Sequence, residues 1–438
     1  MKSLKLLWRF AVLGGLVLLL LIPLLMIRAV ISDRTQYREQ AIEKVARSSA
    51  GEQRFVGPLR YIPWTREYEV RVRDEDGTST VQRRRESGYL VQTPSRLKVE
   101  GELLPAQRRV GLFKVPVYTW KASVHAEFNP MAYEAADGRV YGTPYLAVGI
   151  ADVRGLAGEP VLSVNGSNLR LQNDSGSLAA VSPGLHAELP ALVDTQSGML
   201  PGLQSVDMNL QLAGTRALSV VPIGDNNQVA LRSAWPHPAF SGDFLPTERQ
   251  VDSGGFSAQW MLSALATGAQ AQLQDKASLD ALRVDLVDPV DVYTQADRAS
   301  KYGILFVLLT FTGFVLLELI RGLRIHPVQY LLVGLALAIF FLLLLSLSEH
   351  IAFWQAYLVA AAACIGLQFF YLLGVLRSRA LAASFATLLT ALYGVLYSLL
   401  ASEDNALLMG SLLLFGILAV IMWLTRRLDW YALNETLR

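Results

Sequence analysis

Long apolar runs stand near both ends of the chain, and a stretch of ordinary polarity lies between them. Residues 10–27 carry no charge and are interrupted only by Gly14, Gly15 and Pro23. Five more apolar segments follow in quick succession, at 303–320, 330–347, 351–376, 380–400 and 406–424. Each has at least 18 residues, enough to cross about 30 Å of hydrocarbon as a helix. Glu318 is the one charge within them. The pattern predicts an N-terminal transmembrane helix over 1–31, a large domain over 32–300 and a five-helix transmembrane bundle with a short tail over 301–438.

Within the middle stretch the period changes. Tyr37, Ala41, Ile42, Val45 and Ala46 fall at helical spacing, which predicts a helix over 33–50 continuing from the first span. Beyond Gly51 apolar residues alternate with polar ones, as at 68–73, 115–128, 161–171, 206–212 and 282–286. Turn signals punctuate them: Asp76-Gly77, Ala136-Asp137-Gly138, Asn165-Gly166 and Gly224-Asp225-Asn226. This is the pattern of an antiparallel all-β domain, either a sandwich or an open barrel.

The first apolar run is longer than the h-region of a signal peptide, and Met26-Ile27-Arg28-Ala29 is a poor cleavage site. It is therefore expected to be a retained anchor. With six spans, one side carries Lys2, Lys5 and Arg9, Arg321 and Arg324, Arg377 and Arg379, and Arg426 and Arg427. The other side carries Glu349 and the pair Glu403, Asp404 in its short loops. The positive-inside bias then places both termini in the cytoplasm and the β domain outside it, in the periplasm of a Gram-negative cell. Arg28, Arg34, Arg298 and Lys301 flank the outer domain against this bias, but long translocated regions escape the charge rule.

Composition agrees with a membrane protein. Hydrophobic residues make up 52% and charged residues 17% of the 438, and the net charge is +2. That balance argues against a nucleic-acid partner, which a basic face would mark. The single cysteine, Cys364, excludes an intrachain disulfide and a multi-cysteine metal site. It lies mid-span, where a thiol starved of water is expected to resist alkylation.

No catalytic signature emerges: the chain lacks a P-loop, an H-E-x-x-H and a G-x-S-x-G elbow. Gly255-Phe256-Ser257-Ala258 is half an elbow and reads as strand. His125, His186 and His237 lie in the β domain and read as surface or hydrogen-bonded residues, not metal ligands. No cofactor is expected. The most unusual soluble stretch runs from Trp235 to Pro246, with three prolines and three aromatics in twelve residues. Proline removes ladder donors, so this must be a loop or an edge. Trp235, His237, Phe240 and Phe244 are candidate partner-binding residues there; alternatively the aromatics plug the end of the β core.

In the membrane part Glu318 is close enough to Arg321 to form a helix-end ion pair. Gly334 and Ala338, four apart, suit close helix packing. Acids or histidines near mid-membrane and paired Gly/Pro-broken helices, which a proton-coupled transporter wants, are missing. Glu349 and His350 sit in the turn 348–350 between two long spans. They face the outer side with Arg298 and Lys301, so Glu349, His350, Lys301 and Glu318 are candidate coupling residues, Glu349 pairing with a basic residue at the junction.

Several stretches together resemble the CreD family of bacterial inner-membrane proteins. They include Gly57-Pro58 with Ile62-Pro63, Val115-Pro116-Val117-Tyr118, Trp235 to Pro246, Gly255-Phe256 with Trp260, and Pro289-Val290-Asp291-Val292-Tyr293. The membrane block carries most: Lys301-Tyr302-Gly303 through Glu318, His326-Pro327-Val328-Gln329-Tyr330, and Ser346-Leu347-Ser348-Glu349-His350, with Thr425-Arg426 and Asp429-Trp430-Tyr431 at the end. The resemblance implies an inner-membrane protein with a periplasmic domain and a role in cell-envelope integrity. It also implies regulation by the Cre two-component system, with links to colicin tolerance and β-lactam response. It supplies no catalytic residues. The reading is thus a non-enzymatic protein whose partners are the lipid bilayer and either peptidoglycan or an envelope protein. The alternatives are a transporter or lipid-handling protein and, third, an envelope hydrolase.

Overall fold

The computed structural model describes residues 2–73, 79–133, 138–173, 183–189, 199–275, 278–287, 292–321, 325–376, 378–401 and 406–426. The chain divides into two compact units, one of residues 1–38 with 290–438 and one of residues 39–289. The first helix, α1 (Lys2–Ser48), is a single element of 47 residues that contains Pro23. At 1.5 Å per residue it is about 70 Å long. The expected membrane helix and the expected soluble helix are therefore one element. Its first 37 residues belong to one unit and its last ten to the other.

The β unit comprises nineteen strands among the described residues. They are β1 (Gln53–Arg73), β2 (Ser79–Gln92), β3 (Arg96–Val110), β4 (Phe113–Phe128), β5 (Met131–Ala132) and β6 (Arg139–Tyr141). Next come β7 (Tyr145–Ile150), β8 (Val161–Val164), β9 (Ser167–Leu169), β10 (Gln172–Asn173), β11 (Gly184–Glu188), β12 (Met199–Leu200) and β13 (Leu203–Thr215). The last are β14 (Ala217–Val220), β15 (Asn226–Ser233), β16 (Pro238–Gly242), β17 (Glu248–Asp252), β18 (Gly255–Ser263) and β19 (Leu282–Leu286). Two short helices, α2 (Ala264–Thr267) and α3 (Ala269–Gln274), follow β18.

These strands form a sandwich. One sheet runs β10-β11-β7-β1-β14-β19-β16, with β2 and β6 also on β1; the other runs β17-β18-β15-β3-β4-β13-β8-β9. Both sheets contribute to one core, in which Phe55 of β1 meets Trp120 of β4 edge-on at 5.5 Å. The ladders are antiparallel except at one junction in each sheet, β1 with β14 and β15 with β3. Period-two patterning sets which face is buried and carries no information on strand direction, so these parallel junctions were not foreseen. The 161–171 segment is a hairpin, β8–β9, and its Asn165-Gly166 turn has positive φ at both residues (46° and 83°). Asp76-Gly77 and Ala136-Asp137 lie outside the described residues.

A knot of buried polar groups ties the end of α1 to this sandwich. The Gln53 side chain, 1% exposed, donates to Asp152 O (2.9 Å) and Ala213 O (2.8 Å) and accepts from Asp152 N (3.1 Å). Asp152 Oδ2 accepts from Gly51 N (3.0 Å), and Arg154 bridges Asp152 to Arg47 O (2.8 Å). A Cβ on Gly155 would come within 2.5 Å of the Gln53 amide, so glycine is required by close approach.

The other unit holds α4 (Val292–Lys301), α5 (Gly303–Arg321), α6 (Pro327–Ser348), α7 (Phe353–Leu376), α8 (Arg379–Ala401) and α9 (Ala406–Thr425). Among the described residues four helices are long and apolar enough to cross a membrane: α1, α6, α7 and α8. The pair α4–α5, bent by 43°, makes a fifth. The sixth expected segment forms α9, several of whose side chains lie outside the described residues. α4 groups with the helical unit, although its sequence reads as the end of the soluble domain.

Gln53→Leu keeps the size but strands three half-buried backbone groups, and should cost roughly 1–3 kcal/mol, read by chemical denaturation of the full chain in detergent. The hydrogen bonds from Arg154, above all, hold the Asp152 carboxyl below the usual carboxylate range. A depressed carboxylate contributes stability that is present above its unfolded value, about 3.9, and is lost as pH falls through its folded value. Asp152→Asn should therefore destabilise at pH 7, and its difference from wild type should shrink steadily below about pH 4.

Candidate functional site

The aromatic stretch turns inward. β16 is the last strand of its sheet, pairing only with β19, so proline stands at an edge as expected. Phe240 packs edge-on against Phe256 (5.6 Å) and Trp260 (6.0 Å), and Phe244 O accepts from Trp260 Nε1 at 3.1 Å. Trp235 donates its indole N–H to His237 O (3.1 Å) and Val287 O (2.9 Å). Trp235, Phe240 and Phe244 are partly buried against the main core, and His237 alone of the four is exposed. The three aromatics pack against the core at the β16 edge and keep part of their surface exposed.

The turn between α6 and α7 is a polar joint. Glu349, whose side chain is 6% exposed, lies 3.5 Å from Arg34 Nε of α1 and accepts from the Tyr293 hydroxyl of α4 at 3.2 Å. Lys301 pairs with Asp297, one turn back, at 2.8 Å. The basic partner of Glu349 is thus Arg34 and not Lys301. An i,i+4 neighbour was always within reach of Lys301, whereas the meeting of α1 with the turn is a tertiary fact. His350 is exposed and bonds Ser346 O at 3.1 Å. Glu318 accepts from Tyr330 OH at 2.9 Å; the side chain of Arg321, its expected partner, lies outside the described residues. Cys364 is 3% exposed. A Cβ on Gly334 would come within 2.2 Å of Leu20 Cδ1, so this glycine admits α1 against α6.

Sequence reasoning missed the outer face of the eight-stranded sheet. In β4 the inward set is Tyr118, Trp120, Ala122, Val124, Ala126 and Phe128, leaving Lys121, Ser123, His125 and Glu127 on the open side. The register carries this face straight across six strands. One row of directly paired residues runs Gln259, Ala230, Glu100, Ser123, Asn209, Val161. The next row, two residues along, runs Ser257, Arg232, Glu102, Lys121, Gln211. Together they line a trough of about 800 Å³, bounded at the β8 end by Ala157, Gly158 and Glu159. Ala230 and Ser123 keep its floor low between longer side chains. A second hollow of about 400 Å³, beside Arg96, Asn226, Gln228 and Met261, lies further along the same strands.

Beyond the trough the row continues as Gln228, Lys98, His125, Asp207 and Ser163. His125 Nδ1 is 2.7 Å from Asp207 Oδ1, and Ser205 also donates to Asp207. These two bonds, Ser205 first, hold the Asp207 carboxyl below its ordinary range. His186 stands apart on β11, its ring against Tyr145 at 5.7 Å. Among the described residues no cluster of three His, Cys, Asp or Glu is placed to hold a metal ion. The alternation that exposes Lys121 and Ser123 is legible in the sequence, but the lateral alignment that joins them to Asn209 and Gln259 is not.

Charge reversal distinguishes the two candidate partners of Glu349. Glu349→Arg alone should lower the thermal midpoint of the full chain in detergent, a loss of roughly 1 kcal/mol. Adding Arg34→Glu should recover part of it, and adding Lys301→Glu should recover none.

A family model described as Inner membrane protein CreD matches residues 5–431. The Inner membrane protein CreD of Escherichia coli (strain K12) is 37% identical over 434 residues, covering 98% of this chain and 94% of that one. Among solved structures, an M1 zinc metallopeptidase from Deinococcus radiodurans overlaps 44% of this chain and 42% of its own at 10% identity and a TM-score of 0.20. A form bound to a Tyr-ser-ala substrate gives 0.21. A similarity that slight carries no argument about activity. The near full-length match and the apolar helices agree: the chain belongs to the CreD family of inner membrane proteins.

Proposed function

We propose that this protein supports cell-envelope integrity without catalysing a reaction, its β domain lying in the periplasm and contacting an envelope component there, with both termini cytoplasmic. The observation that carries the reading is the open trough on the eight-stranded sheet. It is wide and lined by side chains on rigid strands, charged and amide groups among them, the form of a binding face. The Glu349–Arg34–Tyr293 joint supplies the coupling element, because it ties α1, the helix that leads toward the β domain, to the remaining membrane helices.

Reporter fusions at Ser87 and Ser348 should read as periplasmic, and fusions at Ser378 and Arg438 as cytoplasmic; the reverse pattern removes the proposed location. A photoreactive residue at Ser123, in living cells, should capture a cell-envelope component, while one at the exposed Gln355 should not. Capture of cytoplasmic material alone, or of nothing from Ser123, overturns the contact.

A further inference from the structure

We infer that the trough is a binding site for an amino-sugar glycan, the glycan strands of the cell wall. The inference deepens the proposed envelope contact and rests on it. Three properties of the trough select this ligand. First, its charges nearly cancel, with Glu100, Glu102 and Glu159 against Lys121 and Arg232. A phosphate polymer or another polyanion needs a one-signed basic groove, and this is not one. Second, the face lacks a large apolar anchor. Val161 is its one large aliphatic side chain pointing outward, and no aromatic lines it, so it offers neither a lipid chain nor an apolar peptide anchor a seat.

Third, the hydrogen-bonding groups match. Asn209, Gln211 and Gln259 each present both a carbonyl oxygen and an N–H₂ group, and with that of Lys121 their side chains make no hydrogen bond or ion pair among the described residues. An N-acetyl group offers the complementary pair, one amide N–H and one carbonyl. Sugar hydroxyls can donate to Glu100 and Glu102, and Ser123 can serve in either sense. Six strands at about 4.8 Å spacing give a trough about 24 Å long, room for about four or five pyranose rings end to end. The floor at Ala230 and Ser123 is where a ring would lie closest to the sheet. Recognition here is by hydrogen bonds without ring stacking, so the affinity of a short oligomer should be modest and should build along a polymer.

The test uses the full chain in lipid nanodiscs, with β-1,4-linked tetra-N-acetylglucosamine and purified peptidoglycan sacculi as probes. Wild type should bind the tetramer in a calorimetric or thermophoretic titration and should co-sediment with sacculi. Ser123→Trp raises the floor on an exposed position and should weaken both at least tenfold. The pair Asn209→Ala with Gln211→Ala, which leaves the fold's core untouched, should weaken both about threefold or more. Binding unchanged in both variants places the glycan elsewhere and overturns the inference. No binding of either probe by wild type overturns the ligand chemistry. In both of these cases capture of an envelope protein from Ser123 would leave the broader envelope contact standing, and its absence would remove that contact as well.

Discussion

One buried amide organises the β unit. Gln53 follows α1 by five residues and begins β1, the strand on which four others pair. All three of its side-chain hydrogen bonds go to half-buried backbone, at Asp152 and Ala213. A buried amide costs little when fully paired and a great deal when one partner is lost. The geometry around it is correspondingly tight: Gly155 and Gly214 have no room for a Cβ, and Tyr118, fully buried, donates to Ala217 O at 2.6 Å. The helix end, the start of the first sheet and the last turns of β13 in the second sheet are locked at one point. The strands then splay from it in fixed register.

That register is what turns an ordinary alternating pattern into a surface. Because side chains in a strand alternate in strict order, the burial of Trp120, Val124 and Leu212 commits Lys121, Ser123 and Gln211 to the opposite face. Gly101 adds a constraint, since a Cβ there would collide with the Trp120 indole. The core side of the sheet is packed with large rings, and the solvent side is left with short and polar groups. The trough is the outer consequence of an inner packing requirement. At the β16 edge the aromatics of the proline-rich stretch pack against the same core.

The membrane unit follows a different logic. In hydrocarbon, apolar contact gives no preference between protein and lipid, so close backbone approach and a few polar contacts decide the packing. Gly334 provides the first between α1 and α6. Glu349 provides the second, drawing Arg34, Tyr293 and the α6–α7 turn together. Tyr330 beneath Glu318, with Phe311 and Phe314 against its ring, repeats the device near the other end of α6.

The sequence by itself determined the membrane helices, the β character of the middle domain and the edge position of the Trp235–Pro246 stretch. Each of these rests on a local property: run length, side-chain period, or the missing N–H of proline. The family was legible too, since its motifs are contiguous residues. Tertiary structure alone decided that Arg34 and not Lys301 meets Glu349, and that β1 and β15 each have a parallel neighbour. It also decided that residues as far apart as Ser123, Asn209 and Gln259 share one trough. The physical reason is that strand neighbours and helix contacts are chosen by the global minimum of buried area and satisfied hydrogen bonds. No window along the chain contains both partners of such a choice.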